Sequence, residues 1–467
     1  MNFSHKRREF RRVFRIMRRP HLLAIFWISA TLCSFGQRGN QPSRTFGPPV
    51  FLQALNFKSS VPSKGRLDIL YRVPYTSFIF VKNQDPSGPA FRARGEIIVD
   101  VFDKNGAPVM HSYFHEALEA AEPPAASDPS SEFVQGMASY DLSPGTYKVT
   151  IDVSDRESNR NEHNEIPHVL VSDFGSTVPQ ISDILLTRSP ADTSGETTPV
   201  NYGNEVPFGD RFNMYAEIMS RDLTDSVHLH LKIYSLSDES HSRNLVLAES
   251  LSFLPQTSGK VLSIVHENER VYYKSEFHAS DGQRCGIWMK VQADTLEQGS
   301  YEAELRASTK DSSGTRTSPF QIRWIDKPVS LRILRNAIDA LSYIAEPAEL
   351  DEIKHSDGKE QESLFNSFWK KRDPTPQTAY NEAEAEYYRR VDHATTTFST
   401  FGQQNGMKTD RGKAYILYGP PSSTSRSLNP SSLPTEVWTY PNLHRRLIFI
   451  DKSKQGNYTL AAEEKLN

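Results

Sequence analysis

Glu96-Ile-Ile-Val-Asp-Val-Phe-Asp-Lys-Asn-Gly106 decides the fold of the longer, N-terminal part of the chain. Ile97, Val99 and Val101 alternate with Ile98, Asp100 and Phe102, and a period of two marks a strand with one face in a core. Lys104-Asn105-Gly106 then supplies a turn, since Asn and Gly tolerate the left-handed backbone that hairpins need. Similar runs flank it: LDILYRVPY at 67–75, SFIFVKN at 77–83 and GTYKVTIDVSD at 145–155. Antiparallel strands with one apolar face belong in a sandwich. Ala117 to Ser131, built of Ala, Pro, Ser and acids, reads as a solvated loop.

A second β-region follows from about Gln180 to Trp324, with ISDILLTRS, FGDRFNMYAEI, SVHLHLKIYSLS, GIWMKVQA and GSYEAELRAS as candidate strands. LSPGTYKVTIDV (142–153) and LEQGSYEAELRA (296–307) echo one another: Leu, two residues, Gly, Ser or Thr, Tyr, then alternation. Each reads as a turn feeding a late strand with an inward Tyr, which predicts two sandwiches of related design.

The N-terminus has a different grammar. Eight Lys/Arg and one Glu lie within residues 1–36, and the apolar run Leu22 to Phe35 follows the basic cluster. That is a signal-peptide pattern, too short for a membrane span, with cleavage expected after Gly36 and with Met1 or Met17 as the start. Lipid anchoring at Cys33 is not expected, because bulky Leu32 precedes it where a small residue belongs. Cleavage takes away a net +7 and turns the chain's −3 into −10, which argues against nucleic acid as a partner. Cys285 then has no other cysteine to pair with, and next to Arg284 it reads as an inert, half-buried thiol.

After Pro328 the period changes to that of helices. Leu334, Ala337, Ile338, Leu341, Ile344 and Ala345 share a face up to Pro347, and a second helix is predicted over 360–372. Asn381 caps a third, with Tyr387, Val391, Ala394, Thr395, Phe398 and Phe401 as its inward stripe. KAYILY (413–418), EVWTY, RLIFID and YTLA read as strands, KAYILY as a central one closed by Gly419-Pro420-Pro421. The chain thus divides into a signal peptide (1–36), a linker (37–60), two all-β antiparallel sandwiches (61–175 and 176–327) and a C-terminal α+β domain (328–467).

Three blocks stand in order within that last domain: FWKKRDPTP, NEAEAEYYRRVDHA and GMKTDRGKAYILYGPP. Together they resemble the GWxTD-domain proteins, bacterial extracytoplasmic proteins of unassigned function, over roughly residues 330–467. Met407 stands where the family has Trp. The resemblance implies a location and a domain arrangement, and no catalytic residue comes with it.

Trp369, Arg372, Asp373, Met407, Thr409, Asp410, Arg411 and Trp438 make up the candidate motif surface. Arg372, Asp373, Asp410 and Arg411 can form Arg-carboxylate forks that pin two loops, or a carboxylate base with guanidinium clamps. Catalytic constellations usually add a nucleophile, a His or metal ligands, which favours the structural alternative; no catalytic residue, metal or cofactor is assigned. His228 and His230 share a strand face but are too few for a metal site, and His393 reads as a solvated helix position. Trp369, Tyr380, Tyr387, Tyr388, Trp438 and Tyr440 either build a core or line a glycan or peptide surface. The leading expectation is a non-enzymatic module meeting an envelope protein. Carbohydrate or peptide binding comes next, and a hydrolase using Asp373 or Asp410 comes last.

Overall fold

Val99 lies at the heart of a sheet in the computed structural model, fully buried with Ile97 and Val101. The structure describes residues 50–84, 88–121, 133–158, 160–176, 178–188, 195–200, 205–219, 226–237, 242–253, 260–267, 270–277, 284–291, 295–427, 429 and 431–466. The signal peptide, its cleavage site and Cys33 lie outside them. Contacts divide the described chain after Ile325 into a β-unit and a C-terminal unit, Asp326–Asn467.

The first sandwich has seven main strands: β1 (Phe51–Lys58), β2 (Gly65–Pro74), β3 (Phe91–Phe102), β4 (Pro108–Ala120), β5 (Phe133–Leu142), β6 (Gly145–Asp155) and β7 (Asn161–Val171). They form two antiparallel sheets, β1-β2-β5 and β4-β3-β6-β7. The turn between β3 and β4 closes as its residues predict, with Gly106 at φ +82° and the Asn105 amide on Asp103 Oδ1 at 2.8 Å. Two boundaries move. Phe51–Lys58 is a strand and not linker, and Ala117–Ala120 end β4 and are not loop.

The second sandwich repeats the order. Its strands are β8 (Leu185–Thr187), β9 (Phe212–Met219), β10 (Val227–Ser237), β11 (Ser242–Phe253), β12 (Lys260–Glu267), β13 (Arg270–Phe277), β14 (Arg284–Val291), β15 (Gly299–Ser308) and β16 (Ser313–Arg323). The sheets are β8-β9-β14 and β11-β10-β15-β16, and the hairpin β12-β13 is inserted between β11 and β14. The echoed tyrosines hold equivalent places at the start of β6 and β15. Tyr147 donates its hydroxyl to Ser143 O at 2.7 Å and Tyr301 donates to Glu297 O at 2.8 Å. A Tyr bonding back four residues at this corner is the tyrosine corner of immunoglobulin-like sandwiches.

β1 and β2 are buried on both faces, which explains why their alternation is imperfect. Leu67, Ile69, Tyr71 and Val73 face the first sandwich's own core, while Leu55, Phe57, Leu70 and Met137 pack on Leu185, Tyr215, Leu262 and Tyr273. Ionic groups lie buried beside this second core. Asp68 accepts from Ser139 (2.6 Å), Arg66 (3.1 Å) and Tyr273 (3.1 Å). Glu217 receives a two-pronged bond from Arg284 at 2.7 and 2.9 Å, and Tyr215 Oη at 3.2 Å.

The C-terminal unit carries helices α1 (Leu334–Ala340), α2 (Pro347–His355), α3 (Gly358–Lys370), α4 (Glu382–Thr397) and α5 (Asp410–Tyr418). Strands β17 (Ser423–Ser427), β18 (Thr435–Tyr440), β19 (Arg445–Asp451) and β20 (Tyr458–Lys465) form an antiparallel meander. Pro347, which ends the apolar helical face before it, also opens α2 as its first residue, where its missing N–H costs nothing. Among the described residues no helix is long and apolar enough to cross a membrane.

Candidate functional site

The GMKTDRG segment folds as a capped helix start and not as a loop before a strand. Thr409 is the N-cap of α5: its Oγ1 accepts from Gly412 N at 3.0 Å and donates to Gly406 O at 2.8 Å. Gly419, at φ +76°, follows Tyr418 as the C-terminal stop, and Pro420 and Pro421 come next. KAYILY is therefore helical and not the predicted central strand. The cap and the Gly-Pro stop override the alternation, and Ala414, Ile416, Leu417 and Tyr418 are buried together in the later turns of α5, after the polar Asp410, Arg411 and Lys413.

Close approach explains both glycines of the segment. A Cβ on Gly406 would lie 2.2 Å from Ala394 O, and one on Gly412 would lie 2.0 Å from Gly406 O. The chain after α4, the turn at 406–408 and the start of α5 are thus stacked backbone on backbone. Met407 is buried there, its amide on Asn405 Oδ1 (3.2 Å) and its carbonyl on Tyr343 Oη (2.9 Å). The side chain at this position is a packing group.

The four polar candidates do not meet. Arg372 forms a fork with Glu349 at 2.7 and 3.3 Å and stacks on Phe368. Asp410 accepts the Leu460 amide at 3.0 Å and pairs with Lys413, tying α5 to β20. Arg411 pairs with buried Glu436 at 3.2 Å, bonds Gly456 O and lies over the Tyr458 ring. A hydrolase built on Asp373 together with Asp410 has no common centre, because Asp410 is spent on β20.

The aromatic candidates are core, except the half-buried Tyr380. Trp369 and Trp438 are each 2% exposed. Trp369 packs with Phe368, Tyr387 and Tyr388, and Trp438 with Phe398, Tyr415 and Phe449. Trp438 Nε1 donates to Glu436 Oε1 at 2.7 Å. Neither ring offers a glycan platform. Phe401, by contrast, leaves the stripe predicted for it: α4 ends at Thr397, and Phe401 stands 99% exposed at a turn closed by Thr400 and Gln403. His393 is exposed, as its helix position implies, and stacks on Tyr415 with centroids 4.4 Å apart. His228 and His230 bond Ser252 and Ser250, and Cys285 is fully buried.

Asp373 has a different neighbourhood. Its Oδ1 accepts the Thr375 amide at 2.8 Å, while Oδ2 is buried without a hydrogen-bond partner among the described residues. Burial raises it above the usual carboxylate range. Its charge acts on Glu384, which burial pushes up to about 8 against the pull of Lys327. Glu384 escaped sequence reasoning because NEAEAEYYRR looks like a solvated acidic stretch. The spacing 384, 387, 388, 391 places it on the inward stripe, next to the Asn381 cap that receives its amide at 3.0 Å.

Residues 310–466 match the GWxTD domain family. The chain carries a GWxTD domain. No curated protein matches it. Similar solved structures include a red sea bream transglutaminase, 8% identical over 58% of this chain and 31% of that one, TM-score 0.17. A chicken interferon gamma receptor alpha chain is 10% identical over 57% of this chain and 98% of that one, TM-score 0.14. The E. coli alpha-2-macroglobulin is 9% identical over 60% of this chain and 16% of that one, TM-score 0.14. The GWxTD residues Gly406, Met407, Thr409 and Asp410 are thus a set of close contacts, a cap and a tie to β20.

Proposed function

We propose that this protein is an extracytoplasmic interaction protein, whose β-unit carries the GWxTD domain to an envelope protein partner. The reading rests on one observation above others: two sandwiches of the same strand order are joined through a buried apolar and ionic junction into a single unit. Such a unit suits a carrier, because its surface loops can vary without disturbing the joint. The basic-then-apolar N-terminal sequence supports export. Within the GWxTD domain Arg372, Thr409, Asp410 and Arg411 are engaged internally, which leaves exposed groups such as Phe401 to meet a partner.

Cross-linking of the tagged full chain in envelope fractions tests this. The expected result is one specific protein captured by wild type and lost with Phe401→Asp at unchanged circular dichroism. Retention of the chain in the cytoplasm, or turnover of an envelope substrate without any captured partner, would overturn it.

A further inference from the structure

β11 is the outer strand of its sheet: it pairs with β10 along one side, and among the described residues no strand pairs with its other side. Its twelve residues, Ser242–Phe253, include no proline. That side therefore presents a row of main-chain N–H and C=O groups, which an added strand satisfies along its length.

The side chains of this edge are apolar where an edge is ordinarily polar. Leu245, Val246 and Leu251 are 54%, 44% and 47% exposed. Residues directly opposite one another in a sheet share a face, so Leu247, Glu249 and Leu251, opposite buried Ile233, Leu231 and Leu229, turn towards the facing sheet. Leu251 is nevertheless open to solvent, so the facing sheet does not cover this edge. The matching edge of the first sandwich, β4, is dressed differently: His111, Tyr113 and His115 on its outer face engage Asp100 and Glu96 of β3.

Glu249 is the one charge between Asn244 and Phe253. It is half-buried, with Leu247 and Leu251 on either side of it on the same face, and its carboxylate has no ion pair or hydrogen bond among the described residues. A second copy of β11 does not answer that charge. Paired with its own mate, the strand sets Glu249 against Glu249 or against an uncharged residue, because its single cation, Arg243, is held by Glu302 and Glu304. A strand carrying Lys or Arg at the matching position gains an ion pair instead, and apolar residues two places to either side of it cover Leu247 and Leu251.

We propose that β11 is a docking edge for an extended segment of a protein partner, added as a further strand whose lysine or arginine pairs with Glu249 and whose flanking apolar side chains cover Leu247 and Leu251. Main-chain bonds hold the segment, and Glu249 selects it. The edge belongs to the β-unit and works independently of the turn that carries Phe401.

The probe is the peptide Thr-Val-Thr-Lys-Thr-Val-Thr, which reads the same in both directions and so suits either strand orientation. Its binding to the full chain is measured by fluorescence anisotropy at low salt and up to ~1 mM peptide, beside the same peptide with Glu in place of Lys. Wild type is expected to bind the lysine peptide at least about tenfold more tightly than the glutamate peptide, and Glu249→Lys is expected to reverse that order. Amide exchange along 243–253 is expected to slow when the lysine peptide is bound. Phe401→Asp is expected to bind the peptide as wild type does, so loss of a partner at that turn leaves this result standing. No binding of the lysine peptide, equal affinity for the two peptides, or slowed exchange confined to segments other than β11 would overturn the proposal. Should Glu249→Lys fail to fold, the ratio of the two peptides on wild type decides alone.

Discussion

The buried charges between the two sandwiches and those around Glu384 in the GWxTD domain are built on opposite principles. Between the sandwiches, Asp68 and Glu217 face Arg66 and Arg284, two acids against two bases, and donors reach both oxygens of each carboxylate. Burial lifts Asp68, but Arg66, Ser139 and Tyr273 pull against it. In the GWxTD domain, Glu384 feels one lysine, Lys327, against the like charge of Asp373, and Glu384 and Asp373 each leave an oxygen without a hydrogen-bond partner among the described residues. A balanced cluster fixes a geometry. An unbalanced one fixes a protonation state, and so answers to pH.

The hardest test of the balanced cluster removes one member. Arg284→Met leaves Glu217 buried without its two-pronged donor, and the expected loss from the β-unit is about 3–5 kcal/mol by urea unfolding. Glu217→Leu combined with Arg284→Met is expected to recover most of it, since a neutral pair demands no solvation. A double variant as unstable as the single would mean the two residues do not act as a pair.

The unbalanced cluster predicts a slope. Glu384 has its folded value raised above the unfolded one, so its contribution is complete below about pH 4.5 and lost as pH rises through about 8. Within that window each pH unit weakens the GWxTD domain by up to about 1.4 kcal/mol. Urea midpoints of peptides from 326–466, read by pulse-labelled hydrogen exchange, are expected to fall between those limits in wild type. They are expected to fall less in Glu384→Gln. Equal slopes in the two proteins would remove the contrast between the clusters.

The sequence disclosed these regions unequally, for physical reasons. β3 was legible because one of its faces is wetter, so Ile97, Val99 and Val101 stand out from Asp100. The repeat was legible through Tyr147 and Tyr301, whose corner needs a fixed local spacing. β1 was hidden because it is buried on both faces and shows no period. KAYILY was misread because so short a run fits either period, and only the Thr409 cap and the Gly419 stop decide between them. The junction partners Asp68 and Tyr273 lie 205 residues apart, a separation that no local pattern encodes. Glu384 was obscured by the half-buried acids Glu382 and Glu386 beside it, although its spacing to Tyr387 and Val391 carried the signal.

The smallest expected effect tests whether the GWxTD residues serve the domain's own architecture. Thr409→Ala removes the hydroxyl that serves Gly412 N and Gly406 O together, and the loss is expected near 1 kcal/mol. Thr409→Ser keeps that oxygen and is expected to lie within about 0.5 kcal/mol of wild type. The loss belongs to the α4–α5 contact alone, so the slope set by Glu384 must survive in Thr409→Ala while the whole curve drops. If Thr409→Ala flattened that slope, the cap and the carboxyl cluster would form one cooperative site, and the motif would have to be counted among the proton-sensitive parts of the domain.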